Sequence, residues 1–340
     1  MIGYKVVITD REYESIENEI SILGQIGASV FPYQLKSEKD IIRVAHDCDA
    51  LITQHARITK KIIGHMDRCK IIARYATGID TIDISSATEK DICVSNVEDY
   101  CTDEVSTHAV AMLLNLNRKL PLYHSSVSEG NWDYKSAAPL LSLRDSIVGI
   151  IGFGHISAAY LRKLRPFCGE IWVHSNHAEK GQVESLGGKL KSFDEIIVNA
   201  DYITIHSPLT SKTKNLFQRN TFMAMKKSAF IINVSRGGLI HEEDLIWALE
   251  QGVIAGAALD VLQEEPPKKS NKLLTMKNVM LTPHSAWYST ASQNKLQKTV
   301  AEEVLRVLSG YFPKHLVNPE VKQNLKLKEL HKEEKENESS

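Results

Sequence analysis

The sequence predicts an α/β protein with two parallel sheets in one chain. Three observations point there: the chain length, a recurring alternation of short Val/Ile-rich runs with longer amphipathic stretches, and a glycine turn set between one such run and a helical stretch. At 340 residues the chain has room for about two domains of roughly 150 residues, each with its own buried core. It is 43% hydrophobic and 24% charged, close to the averages for globular proteins, which excludes a disordered or fibrous chain.

The first series of strands is read at Tyr4–Thr9, Ala50–Thr53, Lys70–Ala73 and Ile92–Ser95. Branched side chains suit a pleated, buried surface, and the amphipathic spacers read as helices that cross over a parallel sheet. Next, Thr102-Asp103-Glu104 supplies a capping residue and first-turn acids ahead of the apolar-periodic stretch Val105–Leu116. A long helix bridging the two domains is expected there. The second series follows at Ser146–Ile151, Glu170–His174, Asp201–His206, Ser228–Val234, Ala255–Val261 and Asn278–Thr282. Ala291–Leu308 reads as another amphipathic helix, and Leu316-Val317-Asn318-Pro319 as an extended exit. Lys and Glu then alternate with almost nothing to bury, so residues 323–340 are expected to form a frayed or disordered tail.

Charge and cysteine usage narrow the function class. Forty-one Lys plus Arg against 42 Asp plus Glu leave a net charge of -1, which argues against nucleic acid as the partner. No apolar run approaches the roughly 18 to 20 residues of a bilayer span, and the start turns acidic where a signal peptide would stay apolar. A cytoplasmic protein with no membrane partner is expected. Cys48, Cys69, Cys93, Cys101 and Cys168 are widely spaced without a Cys-x-x-Cys pair, so they read as free thiols and no metal site is expected.

The apolar run Ile147–Ile151 leads into Gly152-Phe153-Gly154-His155-Ile156-Ser157 and the helical stretch Ala158–Leu164. This is the strand, turn and helix of a dinucleotide site: Gly152 allows the tight turn, Gly154 lets a pyrophosphate approach, and the helix start offers free N–H groups. Ser157 stands where the fingerprint has Gly or Ala. The next strand ends in Ser175-Asn176-His177, where an NAD site usually offers an acid to the ribose. Without that acid a 2′-phosphate is no longer repelled, and Ser175, Asn176, His177 and Lys180 are potential donors to it. NADP(H), or use of both cofactors, is therefore favoured.

Three later strands each end beside a charged residue: Arg236 after Ser228–Val234, Glu265 after Ala255–Val261, and His284 after Asn278–Thr282. Carboxyl ends of strands face the ligand crevice of an open α/β sheet, so these side chains are candidates for one cleft. Reducing a 2-oxo acid needs a cation for the carboxylate and ketone, which suits Arg236, and an acid for the new alkoxide, which suits His284. Glu265 would orient the imidazole and stabilise its protonated form.

Taken together, the motifs resemble those of the D-isomer-specific 2-hydroxyacid dehydrogenases over about residues 4–320. They are Gly152-Phe153-Gly154, His206-Ser207-Pro208-Leu209-Thr210, Asn233-Val234-Ser235-Arg236-Gly237-Gly238, Ala258-Leu259-Asp260-Val261 with Glu265-Pro266, and Thr282-Pro283-His284. The resemblance implies Arg236 as substrate clamp, Glu265 as the histidine's partner and His284 as acid/base. It further implies that Asp260 lies by the nicotinamide, that Ser207, Pro208, Thr213 and Val234 line the cofactor, and that the loop of Thr77 and Gly78 holds the substrate carboxylate. The implied architecture is two Rossmann-like domains, with a doubly wound dinucleotide-binding domain (102–289) inserted in a discontinuous flavodoxin-like substrate domain (1–101 and 290–322). A homodimer formed through the cofactor domain is also implied.

Within the family, Pro283-His284-Ser285-Ala286-Trp287-Tyr288-Ser289, Arg74 and Tyr100-Cys101-Thr102-Asp103-Glu104-Val105 look most like the C-terminal-binding-protein branch. That likeness places Arg74 and Trp287 on the substrate, and a large indole favours a 2-oxo acid with an apolar side chain. His155, Ser157 and Ser175 depart from the family pattern, and all three touch the cofactor rather than the chemistry. Two alternatives to a general 2-oxo acid reductase are phosphoglycerate oxidation and a nucleotide-sensing, corepressor-like scaffold. Neither a small-molecule regulatory domain after residue 320 nor the long partner-binding tail of such scaffolds is expected.

Overall fold

A computed structural model describes residues 3–329. The chain forms two compact units, one from the residues up to Tyr100 together with those from Ser289 onward, the other from Cys101–Tyr288.

The first unit runs β1 (Lys5–Ile8), α1 (Glu17–Gly24), β2 (Ser29–Pro32), α2 (Glu38–Ala45), β3 (Ala50–Thr53), α3 (Lys60–Gly64), β4 (Ile71–Arg74), α4 (Ile84–Glu89) and β5 (Cys93–Ser95). Its sheet is parallel in the order β2-β1-β3-β4-β5, the flavodoxin-like order. β3 and β4 are buried throughout, and Val7, Leu51, Ile62, Ile63 and Ile72 anchor the apolar core. β2 is absent from the sequence reading because it is an edge strand. Its residues are mostly exposed, so no apolar run marks it, and Pro32 is tolerated where one side of the ladder is unpaired.

The second unit opens with α5 (Thr102–Arg118) and α6 (Leu120–Ser128), then β6 (Ile147–Ile151), α7 (His155–Leu164), β7 (Glu170–His174), α8 (Lys180–Ser185) and β8 (Lys189–Leu190). It continues through α9 (Phe193–Asn199), β9 (Tyr202–Ile205), α10 (Arg219–Ala224), β10 (Phe230–Asn233), α11 (Glu242–Glu250), β11 (Gly256–Leu259) and β12 (Val279–Leu281). The parallel sheet has the order β12-β11-β10-β9-β6-β7-β8, doubly wound with its switch point between β6 and β9. β8 is a two-residue edge strand, too short to carry a pattern.

Thr102 is not the cap of α5. Cys101 occupies that position and its side chain does not cap the helix, Thr102 is the first helical residue, and Asp103 pairs with Lys163 on α7 at 2.7 Å. Nor is α5 a bridge, since it lies wholly in the second unit and packs on α7, β10 and β11.

The chain returns to the first unit with α12 (Thr290–Leu308), capped where Ser289 Oγ accepts from the Ser292 N–H at 2.9 Å. Leu316 bridges to Ser95, and the buried Asn318 accepts from the Val94 N–H (2.8 Å) while donating to the Ile92 carbonyl (3.0 Å). The expected tail is ordered as far as Glu329: Lys328 N–H donates to the Gly310 carbonyl and its own carbonyl accepts from Phe312 N–H, both at 2.9 Å. The ammonium groups of Lys322 and Lys328 add cation–π contacts with the rings of Phe312 and Tyr311. The rest of that expectation, residues 330–340, falls outside the described residues.

Candidate active site

In the first unit, the loop after β4 carries Thr77 and Gly78. Thr77 Oγ1 donates to the Val97 carbonyl (2.9 Å), and Asn96 Nδ2 donates to the Thr77 carbonyl (2.7 Å). Arg74 is buried; its Nε donates to the Gln54 carbonyl (3.1 Å), and its Nη1 donates to the Gly78 carbonyl (2.6 Å) and pairs with Asp80 (3.2 Å). These bonds make the guanidinium part of the frame of the loop that carries Thr77 and Gly78.

In the second unit, the chain turns at Gly152, directly after β6. Its φ is +98°, and a Cβ there would lie 2.7 Å from the His206 carbonyl carbon and the Ser207 nitrogen. Ser207 closes the same corner by donating to the Ile151 carbonyl (3.2 Å). Gly154 precedes α7, is exposed, and would meet nothing within 4 Å with a Cβ added. Open space before the first amides of a helix fits a pyrophosphate, so these residues fit a dinucleotide. Phe153 and Ile156 are half-buried in this turn, and His155 is exposed.

The two departures from the dinucleotide pattern each have a structural job. Buried Ser157 accepts from the Gly154 N–H (2.7 Å) and donates to the Gly154 carbonyl (3.0 Å), so its hydroxyl ties the helix start together. Ser175 Oγ accepts from the His177 and Ala178 N–H groups, both at 3.2 Å, which leaves its own proton to donate. Further along, Thr213 Oγ1 donates to the Pro208 carbonyl (2.7 Å) and so shapes the loop, while Val234 is buried.

His284 and Glu265 meet in the second unit. His284 Nδ1 lies 2.7 Å from Glu265 Oε2, with both side chains more than one-third exposed. Glu265 Oε1 also accepts from the Leu262 N–H at 2.8 Å. Burial pushes this carboxyl up, but the hydrogen bond and charge of His284, the Leu262 N–H and the Arg236 charge together hold it below the usual carboxylate range. An ionised Glu265 only accepts, so the imidazole carries its proton on Nδ1 towards it and turns Nε2 away.

Arg236 sits on a turn that buried Asn233 builds. Asn233 Oδ1 accepts from the Ser235 N–H (3.0 Å), its Nδ2 donates to the Arg236 carbonyl (2.9 Å), and Arg236 Nη1 donates to the Ser235 carbonyl (2.7 Å). Gly237 then passes so close that a Cβ would lie 1.9 Å from the Leu262 carbonyl oxygen, which brings this turn against the segment leading to Glu265. Trp287 is half-buried and stands edge-on to Tyr288, ring centroids 5.6 Å apart.

Asp260 ties the loop of His284 together. It is buried and accepts from Thr282 Oγ1 (2.6 Å), Ser285 N–H (2.8 Å) and Ala286 N–H (3.0 Å), while its carbonyl accepts from the His284 N–H (2.8 Å). These bonds hold His284 at φ +52°, in the left-handed region. His108 on α5 adds a further contact, its Nε2 lying 3.1 Å from Thr282 Oγ1. The sequence reading quotes Asn233 in a motif without giving it a role, and it passes over His108, whose only signal is an imidazole within an otherwise apolar-periodic helix.

The comparisons agree with this geometry. The family model described as D-isomer specific 2-hydroxyacid dehydrogenase, NAD binding domain, matches residues 110–286. The chain is 34% identical over 316 residues to a D-3-phosphoglycerate dehydrogenase of Methanocaldococcus jannaschii, covering 92% of this chain and 59% of that protein. It is 32% identical over 314 residues to a glyoxylate reductase of Thermococcus gammatolerans, covering 90% and 94% respectively. The chain spans between 50% and 59% of the length of the first curated relatives it matches. Among solved structures, an NADPH-dependent glyoxylate/hydroxypyruvate reductase from Sinorhizobium meliloti, in complex with NADP and malonate, is similar with a TM-score of 0.82 at 26% identity, covering 96% of this chain and 99% of that one. No helix among the described residues is long and apolar enough to cross a membrane. With a family model matched over residues 110–286 and a near-full-length relative at 32% identity, the chain belongs to the D-isomer-specific 2-hydroxyacid dehydrogenase family.

Proposed function

We propose that the protein reduces a 2-oxo acid to a D-2-hydroxy acid with NAD(P)H. The observation that carries this reading is the 2.7 Å bond between His284 and Glu265, in the same unit as Arg236 and the glycine turn. When bound, the nicotinamide supplies the hydride. Arg236 binds the substrate carboxylate and polarises the ketone. His284 gives the proton on Nε2 to the oxygen that becomes the hydroxyl and is reprotonated from solvent, while Glu265 keeps the ring in the orientation that makes this transfer possible.

NADP(H), or dual use, is proposed because the Ser175 hydroxyl retains a proton to donate where an acid would repel a 2′-phosphate. Half-buried Trp287 supports a substrate with an apolar side chain. Phosphoglycerate oxidation is the second reading, on the strength of the Methanocaldococcus jannaschii relative. A homodimer is supported by the apolar residues left exposed between 120 and 141, among them Leu120, Leu122, Val127, Tyr134 and Trp132, the last 89% exposed. A monomer's sedimentation mass would refute it. Five free, buried cysteines suit the reducing cytoplasm.

The test is oxidation of NADPH and of NADH by the purified protein with a panel of 2-oxo acids that includes 3-phosphohydroxypyruvate. Turnover to the D-product is expected, with a lower KM for NADPH. A strong NADH preference would remove the Ser175 argument. Silence across the panel with cofactor bound would overturn the enzyme reading in favour of the scaffold.

A further inference from the structure

The strained position of His284 rests on a chain of hydrogen bonds that starts outside its own loop. Thr282 Oγ1 donates its only proton to Asp260 Oδ1 at 2.6 Å. The hydroxyl must therefore accept at its second contact, the 3.1 Å bond to His108, which fixes the proton of that imidazole on Nε2. His108 Nε2 also lies 3.9 Å from Asp260 Oδ1. Asp260 in turn accepts the Ser285 and Ala286 N–H groups on one side of the turn, and its carbonyl accepts the His284 N–H. The helix that carries His108 packs on α7, the helix behind the glycine turn, and on β10 and β11, whose ends lead into the loops of Arg236 and Glu265.

We propose that His108 is a positioning residue for His284, acting through Thr282 and Asp260. By donating to Thr282 it directs that hydroxyl at Asp260, and Asp260 then holds the left-handed turn in which His284 meets Glu265. Removing the donor frees the Thr282 hydroxyl to rotate, loosens the turn and weakens the His284–Glu265 bond. The catalytic consequence rests on the proposed reductase reading; the structural consequence does not.

The experiment compares full-length wild type with His108→Ala, His108→Gln and Thr282→Val, singly and with the alanine and valine changes combined. Two readouts are used: kcat and KM for the best 2-oxo acid of the panel, and the NMR signal of the His284 Nδ1 proton in its bond to Glu265. His108→Ala is expected to lower kcat about tenfold, the scale of one lost hydrogen bond, with cofactor KM changed less than about twofold. The Nδ1 signal should move towards that of a solvent-exposed ring. His108→Gln, whose amide N–H reaches as far as Nε2, should restore both, and adding Thr282→Val to His108→Ala should lower kcat little further. A lowered Tm with kcat and the Nδ1 signal unchanged would overturn the proposal, as would additive losses in the double variant. If wild type turns over no substrate, the reductase reading fails while the Nδ1 signal still decides the role of His108.

Discussion

Two turns at carboxyl ends of strands in the second unit reach a left-handed backbone by opposite means. After β6 the conformation falls on a glycine, Gly152, and the turn is shaped by close backbone approach to His206 and Ser207. After β12 it falls on a histidine, His284, and is held by the buried carboxylate of Asp260, which takes three hydrogen bonds from the same loop. Left-handed backbone costs a residue with a Cβ roughly 1–2 kcal/mol, a cost glycine escapes. The difference teaches what each turn is for. On the proposed reading, one needs only bare backbone to meet a pyrophosphate, and the other needs a side chain, so it carries the strain and the anchors to match.

The largest expected effect separates the two turns by function. His284→Ala should lower kcat by about 10²–10⁴, the usual contribution of a positioned acid/base, with cofactor Kd nearly unchanged when measured by fluorescence titration. Gly152→Ala should do the reverse, because its Cβ would meet backbone 2.7 Å away at φ +98°. A stability loss of about 3 kcal/mol in denaturant and a weakened cofactor Kd are expected. If Gly152→Ala bound cofactor as tightly as wild type, the pyrophosphate would not lie at this turn.

A third prediction concerns the floor of the glycine turn. Part of His206 reaches the surface, but its Nδ1 is buried without a partner among the described residues, and burial pushes the imidazole down to about 3. Unfolded, the ring titrates near its ordinary value of about 6.5, so below that pH the unfolded chain binds a proton that the folded one refuses. Stability should fall as pH drops from about 6.5 towards 3, by about 2 kcal/mol at pH 5, and His206→Gln should flatten that slope in chemical denaturation. An unchanged slope in the variant would show that the ring is not protected.

The smallest effect is the sharpest test of how departures from a motif are absorbed. Ser157→Ala should destabilise by about 0.5–1 kcal/mol, because the hydroxyl both accepts from and donates to Gly154. A variant as stable as wild type would mean that Ser157 is a defect the turn merely tolerates.

The same contrast explains what could be read from the sequence. Both sheets and the residues of the acid/base pair were legible because buried parallel strands are apolar runs, and the charged residues follow them directly. Edge strands β2 and β8 carry no such run, and α6 buries none of its residues, so neither pattern nor periodicity announces them. In the site, spacing singled out Glu265 and His284, which the fold brings within 2.7 Å of each other. It did not show the bonds that Arg74 and Asp260 make within their own loops, because only the folded chain brings those partners near. His108 was invisible for the same reason, since its partner Thr282 is 174 positions away in sequence.

The most direct test of the acid/base turn is a single turnover. Protein preloaded with NADPH is mixed with a reactive 2-oxo acid, and cofactor oxidation is followed for wild type and Glu265→Gln. The account predicts the same cofactor affinity but much slower oxidation in the variant, because the neutral amide no longer fixes the His284 proton on Nδ1. Equal rates would contradict it.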